Sequence, residues 1–411
     1  MKLFLIICAT FATILASPEE EKKIFCTHGK WHFYFKGNSQ FGIDQVDPFL
    51  CTHFVYSFFG IDPNGTIAIR DKYLDLEENY GLGNLRKVSK LKEINPKLKT
   101  LASVGGWTEG SAAFSEVAND PEKRKKFARD ALDFLQKYNF DGLDLDWEYP
   151  RQREGSRETD REAFTLLVKD LHRLLHPRGL LLTALVSSVE PIAEGSYEIP
   201  QITRYLDFIK LKTLDMHGAW DAIIGFNSPL YERSGEEGVD KYLNANAAVS
   251  FWLKSGVPSE KLILGVPLFG RGFKMVSEDQ NTAGSPHAGP SDPGPHTTDP
   301  GIMGYNELCE KRLTENWKDH WSEEQLVPYT TWKDQWIGYD NEESVSIKAR
   351  YVRKYKLGGI MAGAIEMDDF KGFCGRGTFP LLKEINRTLK EKSPNEAQML
   401  KKFCMNAITW N

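Results

Sequence analysis

Short apolar runs rich in β-branched and aromatic residues recur along this chain, each followed by a longer helical or loop segment. That rhythm restricts the fold more than any other feature. The runs lie at 52–59, 99–104, 142–147, 180–186, 208–214, 262–267 and 358–365, with a shorter one near 23–26 that would come first. Strands alternating with helices indicate a parallel α/β sheet. Several runs are apolar almost throughout, as strands covered on both faces must be. Helices are expected at 121–138, where Asn119 or Asp120 can cap and Pro121 opens the first turn, and at 159–175.

The rhythm breaks once. Residues 269–343 are too many for one crossover, 281–299 is rich in Gly, Pro, Ser and Thr, and 326–331 and 335–339 read as short antiparallel strands. The expectation is a (β/α)₈ TIM barrel from 23–268 and 344–390, with a small α+β domain at 269–343 inserted after strand seven and a polar tail at 391–411. Residues 1–16 read as a signal peptide: Lys2 supplies the positive end, 3–15 the apolar stretch, and Ala16 the cleavage point. A short apolar run followed by acidic residues is a poor membrane anchor, so a secreted, soluble chain is expected, with no membrane partner. A net charge of −5 gives no reason to expect nucleic acid. Once Cys8 leaves with the leader, Cys26, Cys51, Cys309, Cys374 and Cys404 remain, an odd set that suggests two bridges and one leftover thiol. Asn64 and Asn386 open glycosylation sequons. No metal-ligand spacing or phosphate-cradling loop is visible, so no cofactor is expected, and the chain is read as a monomer.

The stretch Phe140-Asp141-Gly142-Leu143-Asp144-Leu145-Asp146-Trp147-Glu148-Tyr149-Pro150 carries the most chemistry. Strand side chains alternate, so Asp144, Asp146 and Glu148 share one face, and in a barrel that face can be the inner one. Three crowded carboxylates cannot all ionise cheaply, and one with a raised pKa suits a general acid. A calcium loop also offers spaced oxygens, but Leu143, Leu145 and Trp147 between the acids favour a buried strand. Asp141 has the other parity and is read as structural.

This stretch resembles the D-x-x-D-x-D-x-E signature of glycoside hydrolase family 18, the chitinases and chitinase-like lectins. Leu101 to Trp107, Cys51-Thr52-His53, Asn227 to Tyr231, Lys261 to Pro267 and Asp368-Asp369-Phe370 are similar to further family segments, so the likeness covers roughly 23–390. It implies bridges Cys26–Cys51 and Cys309–Cys374 and a chitin-type partner, a polymer or oligomer of N-acetylglucosamine. It implies that Glu148 protonates the leaving oxygen while the substrate's own N-acetyl carbonyl attacks. Asp146 would orient the acetamido N–H and share a proton with Asp144, and Asp215 would help hold the acetamido group. Trp31, Phe58, Trp107, Tyr149, Trp220 and Arg271 would bind sugar along the groove.

The pocket departs from that pattern. Where the family has Met-x-Tyr-Asp, this chain reads Lys212-Thr213-Leu214-Asp215, which removes the tyrosine hydroxyl that would bond the acetamido carbonyl. Gly363 stands where the family has the tryptophan floor of the sugar site, Phe269 replaces a tyrosine, and Cys26-Thr27-His28 replaces Cys-Tyr-Phe. By parity Lys210 and Lys212 share the inner face with Leu214, beside the acids. Two functions therefore compete: a hydrolase of N-acetylglucosamine glycans, slowed or altered by these changes, and a chitinase-like lectin that binds without cleaving.

Overall fold

The computed structural model describes residues 21–391. The expected leader, tail and Cys404 lie outside the described residues. Parallel strands close into a barrel: β1 (Lys23–Gly29), β2 (His53–Asp62), β3 (Lys99–Gly105), β4 (Gly142–Asp146), β5 (Leu181–Ser187), β6 (Phe208–Lys212), β7 (Leu262–Pro267) and, after an insertion, a further strand at Gly359–Gly363. That last strand pairs with both β7 and β1, and β1 pairs with β2, so these eight strands have no free edge. Closure satisfies the backbone groups that an open sheet would leave exposed.

The insertion forms an antiparallel sheet: β8 (Phe269–Met275), β9 (His287–Pro290), β10 (Ile302–Gly304), β11 (Lys318–Ser322), β12 (Val327–Trp332) and β13 (Gln335–Gly338). The final barrel strand is therefore β14. The short strands expected at 326–331 and 335–339 are β12 and β13 to within a residue.

Alternation sorts the side chains. Phe25, Val55, Leu101, Leu185, Ile263 and Met361 fill the barrel interior, while residues of opposite parity pack outward against helices. Among these helices are α1 (Pro121–Lys137) and α2 (Asp160–Leu175). The α1 cap is Asp120, whose carboxylate accepts from the backbone N–H groups of Glu122 and Lys123, with Pro121 opening the first turn. Its stripe Phe127, Ala131 and Leu135 is fully buried. In the insertion, α3 (Tyr305–Lys311) follows β10, and α4 (Glu342–Lys354) leads back to β14.

Disulfides join Cys26 to Cys51 and Cys309 to Cys374. The first ties β1 to the start of β2. The second ties α3 of the insertion to the loop after β14. Both suit a chain that folds in an oxidising compartment. No helix among the described residues is long and apolar enough to cross a membrane.

Candidate active site in the barrel mouth

β4 enters the mouth as Asp144, Asp146 and Glu148, all almost completely buried. Trp147, between them, points outward, stacks on Phe114 at 5.2 Å and donates its indole N–H to Ser111. Strand alternation thus brings the three acids to one face, as the spacing requires. Gly105 makes the turn past them possible: its φ is +116°, and a Cβ there would lie 2.1 Å from the Asp146 carbonyl oxygen.

Asp144 is held by its neighbours in register. Ser103 and Thr183 flank it on β3 and β5, and their hydroxyls donate to it at 2.8 and 2.5 Å. Lys210 on β6, also buried, donates at 2.7 Å. Asp146 has one oxygen without a hydrogen-bond partner among the described residues. Burial first, then the nearby Glu148, pushes its carboxyl well above the usual range against the opposing pull of Lys210. Burial and the neighbouring Glu148 therefore favour the protonated form of Asp146.

Glu148 is claimed by a cation. The Lys212 ammonium donates to Glu148 Oε2 and lies 3.6 Å from Asp215 Oδ2. Burial works against charging Lys212, but the carboxylates of Glu148 and Asp215 outweigh it and hold the ammonium above the ordinary lysine range. Asp215 in turn accepts from Arg271 Nε and Nη2 at 2.9 and 2.6 Å. Its backbone is left-handed, at φ 57°, and its N–H is fixed by Asn227 Oδ1 at 2.8 Å. The mouth is thus a chain of ion pairs running Arg271–Asp215–Lys212–Glu148, with Lys210–Asp144 beneath. Lys210 and Lys212 both reach the acids, as their parity implies.

Trp31, Trp107 and Trp220 are exposed, at 43, 59 and 59%. Trp31 stacks on Phe58 at 5.9 Å. Arg153 lies 4.0 Å over the Trp107 ring, and Arg271 4.9 Å over Trp220. Tyr149 is half-buried against the core, and burial first, then Glu148, Asp146 and Asp215, push its phenol well above the ordinary range. Under the strand end, Gly363 faces Thr27, whose hydroxyl would lie 2.5 Å from an added Cβ. The changes at 27 and 363 therefore meet in space.

Away from the mouth, Asp141 accepts from the Thr100 backbone N–H at 2.8 Å and from Lys92 at 3.1 Å, a structural arrangement. Asn64 is exposed. Asn386 is half-buried on the helix Pro380–Leu389, and its amide donates to the carbonyls of Leu50 and Leu382 at 2.7 and 3.1 Å.

The sequence reading passed over a buried cluster behind Trp31. Glu366, fully enclosed, receives His28 Nδ1 at 3.1 Å, His32 Nδ1 at 2.8 Å and the Gly29 N–H at 2.8 Å. Beside it, Lys30 bonds Asp75 at 2.5 Å. His28 in place of an aromatic was the available signal, but its partner lies 338 residues away. Burial alone would raise the Glu366 carboxyl, but His32 and His28 more than offset it and hold it down at about 2. A depressed acid contributes stability above its unfolded value near 4.5 and loses it as the pH falls through about 2. Glu366→Gln is therefore expected to cost roughly 3 kcal/mol above pH ~5, and the gap should close towards pH ~2. Urea midpoints measured across that range check it. A difference independent of pH would contradict the assignment.

A closed β/α barrel with a row of carboxylates at the carboxyl end of its fourth strand, facing a groove edged by exposed indoles, defines a glycoside-hydrolase type of site. Residues 23–368 match the Glycosyl hydrolases family 18 model, and the chain belongs to that family. It is 40% identical over 378 residues to Chitotriosidase-1 of Mus musculus, covering 89% of this chain and 78% of that protein. Among solved structures it is similar to the Group IV chitinase of Ostrinia furnacalis in complex with allosamidin, at 44% identity and TM-score 0.86, covering 90% of this chain and 98% of that one. It is also similar to human YKL-39, described as a pseudo-chitinase with retained chitooligosaccharide binding properties, at 34% identity and TM-score 0.83, covering 90% and 100%. A chitinase and a pseudo-chitinase thus share this scaffold.

Proposed function

We propose that this chain is a secreted chitinase-like protein that binds N-acetylglucosamine oligomers in the barrel mouth and cleaves them slowly or not at all. The Lys212–Glu148 ion pair carries this reading. To protonate a leaving oxygen, Glu148 would have to give up that bond and acquire a proton. The absent tyrosine at 214 and the absent indole at 363 remove a carbonyl donor and a sugar floor from the same spot. Trp31, Trp107 and Trp220 still offer flat faces for sugar rings. Both disulfides agree with export.

A hydrolase remains the second reading, favoured by one observation: the acid row Asp144, Asp146 and Glu148 is intact and buried together at the end of β4. Incubation with a labelled chito-oligosaccharide, alongside Glu148→Gln, separates the two. Binding without Glu148-dependent turnover is the expected result. Turnover lost in Glu148→Gln makes the protein a hydrolase, and no binding in either chain removes both readings. Trp107→Ala is expected to weaken oligosaccharide binding about tenfold or more through loss of one stacking face. An unchanged titration would exclude that ring from the groove.

A further inference from the structure

The Trp31 ring is carried on a short turn (Lys30–Tyr34) that follows β1 directly. The turn is five residues long, and no side chain caps its start. A turn that short has little stability of its own, so tertiary contacts must give it its shape. Lys30 and His32 are buried, while Trp31 between them is exposed. The indole folds back over Gly29, where an added Cβ would meet its ring carbons at 2.5 Å. Phe58 stacks beside it at 5.9 Å, with the two rings 12° apart.

Glu366 holds the backbone beneath that ring. Its Oε1 accepts from the Gly29 N–H at 2.8 Å and lies 2.8 Å from His32 Nδ1. The same His32 nitrogen is 3.2 Å from the Gly29 carbonyl oxygen, so the pair engages both polar groups of Gly29. His32 Nε2 is buried with no hydrogen-bond partner among the described residues, so Nδ1 is the polar anchor of that ring. Glu366 Oε2 meets His28 Nδ1 at 3.1 Å. One carboxylate thus ties down residues 28, 29 and 32, on both sides of Trp31. Glu366 is itself fixed, since Asn306 of α3 donates to its carbonyl oxygen at 3.2 Å. Lys30 is pinned separately through Asp75, a bond that holds its side chain and not the backbone under the indole.

Glu366 is fully enclosed and cannot touch a sugar, so its effect on a glycan passes through the turn it holds. We infer that Glu366 is a positioning residue for the groove: through Gly29 and His32 it sets the Trp31 ring, so that a glycan meets a flat face already in place. The inference rests on the reading of the mouth as a binding site for N-acetylglucosamine oligomers. A ring held in one orientation loses less freedom when a sugar stacks on it, and that difference appears as affinity. Without its anchors the indole is still present but no longer set.

Calorimetric titration of the full chain with tetra-N-acetylchitotetraose tests it, using Glu366→Gln and His32→Phe, each alone and combined with Trp31→Ala, with folding checked by circular dichroism. Glutamine keeps the size of Glu366 without the charge that draws the histidines, and His32→Phe removes the other end of the pair should the first variant fail to fold. Each is expected to weaken binding at least about fivefold in the parent chain and less than about twofold in the Trp31→Ala background. A merely structural role would lower affinity equally in both backgrounds or in neither, and either result overturns the inference. Fluorine NMR of the chain labelled with 5-fluorotryptophan reads the ring itself. The Trp31 signal, assigned by its loss in Trp31→Ala, should shift or broaden in Glu366→Gln while those of Trp107 and Trp220 stay in place. An unmoved Trp31 signal also overturns the inference. If the parent chain binds no oligosaccharide, the reading of the mouth fails, and this signal alone decides whether Glu366 sets the ring.

Discussion

Chito-oligosaccharide turnover is expected to rise on the order of 10³- to 10⁵-fold in a chain carrying Lys212→Met, Leu214→Tyr and Gly363→Trp together. Each change addresses one defect of the mouth. Methionine removes the ammonium that bonds Glu148 and frees the carboxyl to exchange a proton. Tyrosine returns a donor to the acetamido carbonyl, where charge develops, an interaction worth roughly 3–4 kcal/mol. Tryptophan returns a flat floor worth roughly 2–3 kcal/mol from about half of a buried ring. The indole must displace the Thr27 hydroxyl, which lies 2.5 Å from the new Cβ. That group ends a rotatable side chain and gives up only a 3.3 Å bond to the Ala362 carbonyl. Initial rates on a labelled oligosaccharide measure the gain, and adding Glu148→Gln should abolish it. A rise below about tenfold, or one that survives Glu148→Gln, would show that the departures at 212, 214 and 363 do not limit the chemistry.

Lys348→Met is expected to lower the unfolding free energy by about 3–5 kcal/mol. The Lys348 ammonium is fully enclosed and makes four hydrogen bonds: to both oxygens of Asp340 at 2.7 Å, to the Ser228 carbonyl at 2.7 Å and to the Ser228 hydroxyl at 3.0 Å. It joins the exit of the insertion, the loop after β6 and α4 at one point. Burial depresses its pKa, against the pull of Asp340, so the site already works against its charge. Removing the lysine strands Asp340 with little besides the Ser344 hydroxyl at 2.7 Å. Adding Asp340→Leu to Lys348→Met should restore much of the loss, because the penalty comes from the unpaired charge rather than from the missing contact. Urea unfolding of both chains checks this. A single variant within about 1 kcal/mol of the parent would contradict it.

The barrel was legible because short, nearly continuous apolar runs and their spacing are local signals. Each strand was located to within a few residues from its own composition, and the break at 269–343 marked the insertion for the same reason. The row Asp144, Asp146 and Glu148 was legible too, since a strand can only send alternate side chains the same way. Side-chain parity even brought Lys210 and Lys212 to the acids. It could not assign partners: that Lys212 bonds Glu148 and Lys210 bonds Asp144 depends on where β6 lies relative to β4 around the barrel.

Other features had no local signature. His28 and His32 find Glu366 only because β1 and the segment after β14 are neighbours at the closing seam. The Gly29 N–H beneath Trp31 is likewise bonded from a residue 337 positions along the chain. The sequence alone thus determined the alternation of elements, the class of fold and the shared face of the acids, because these follow from backbone geometry and nearest neighbours. Only the tertiary structure decided which charge meets which, because closing a barrel brings distant strands together, and at those distances the electrostatics depends on ångström-scale separations that no spacing along the chain encodes.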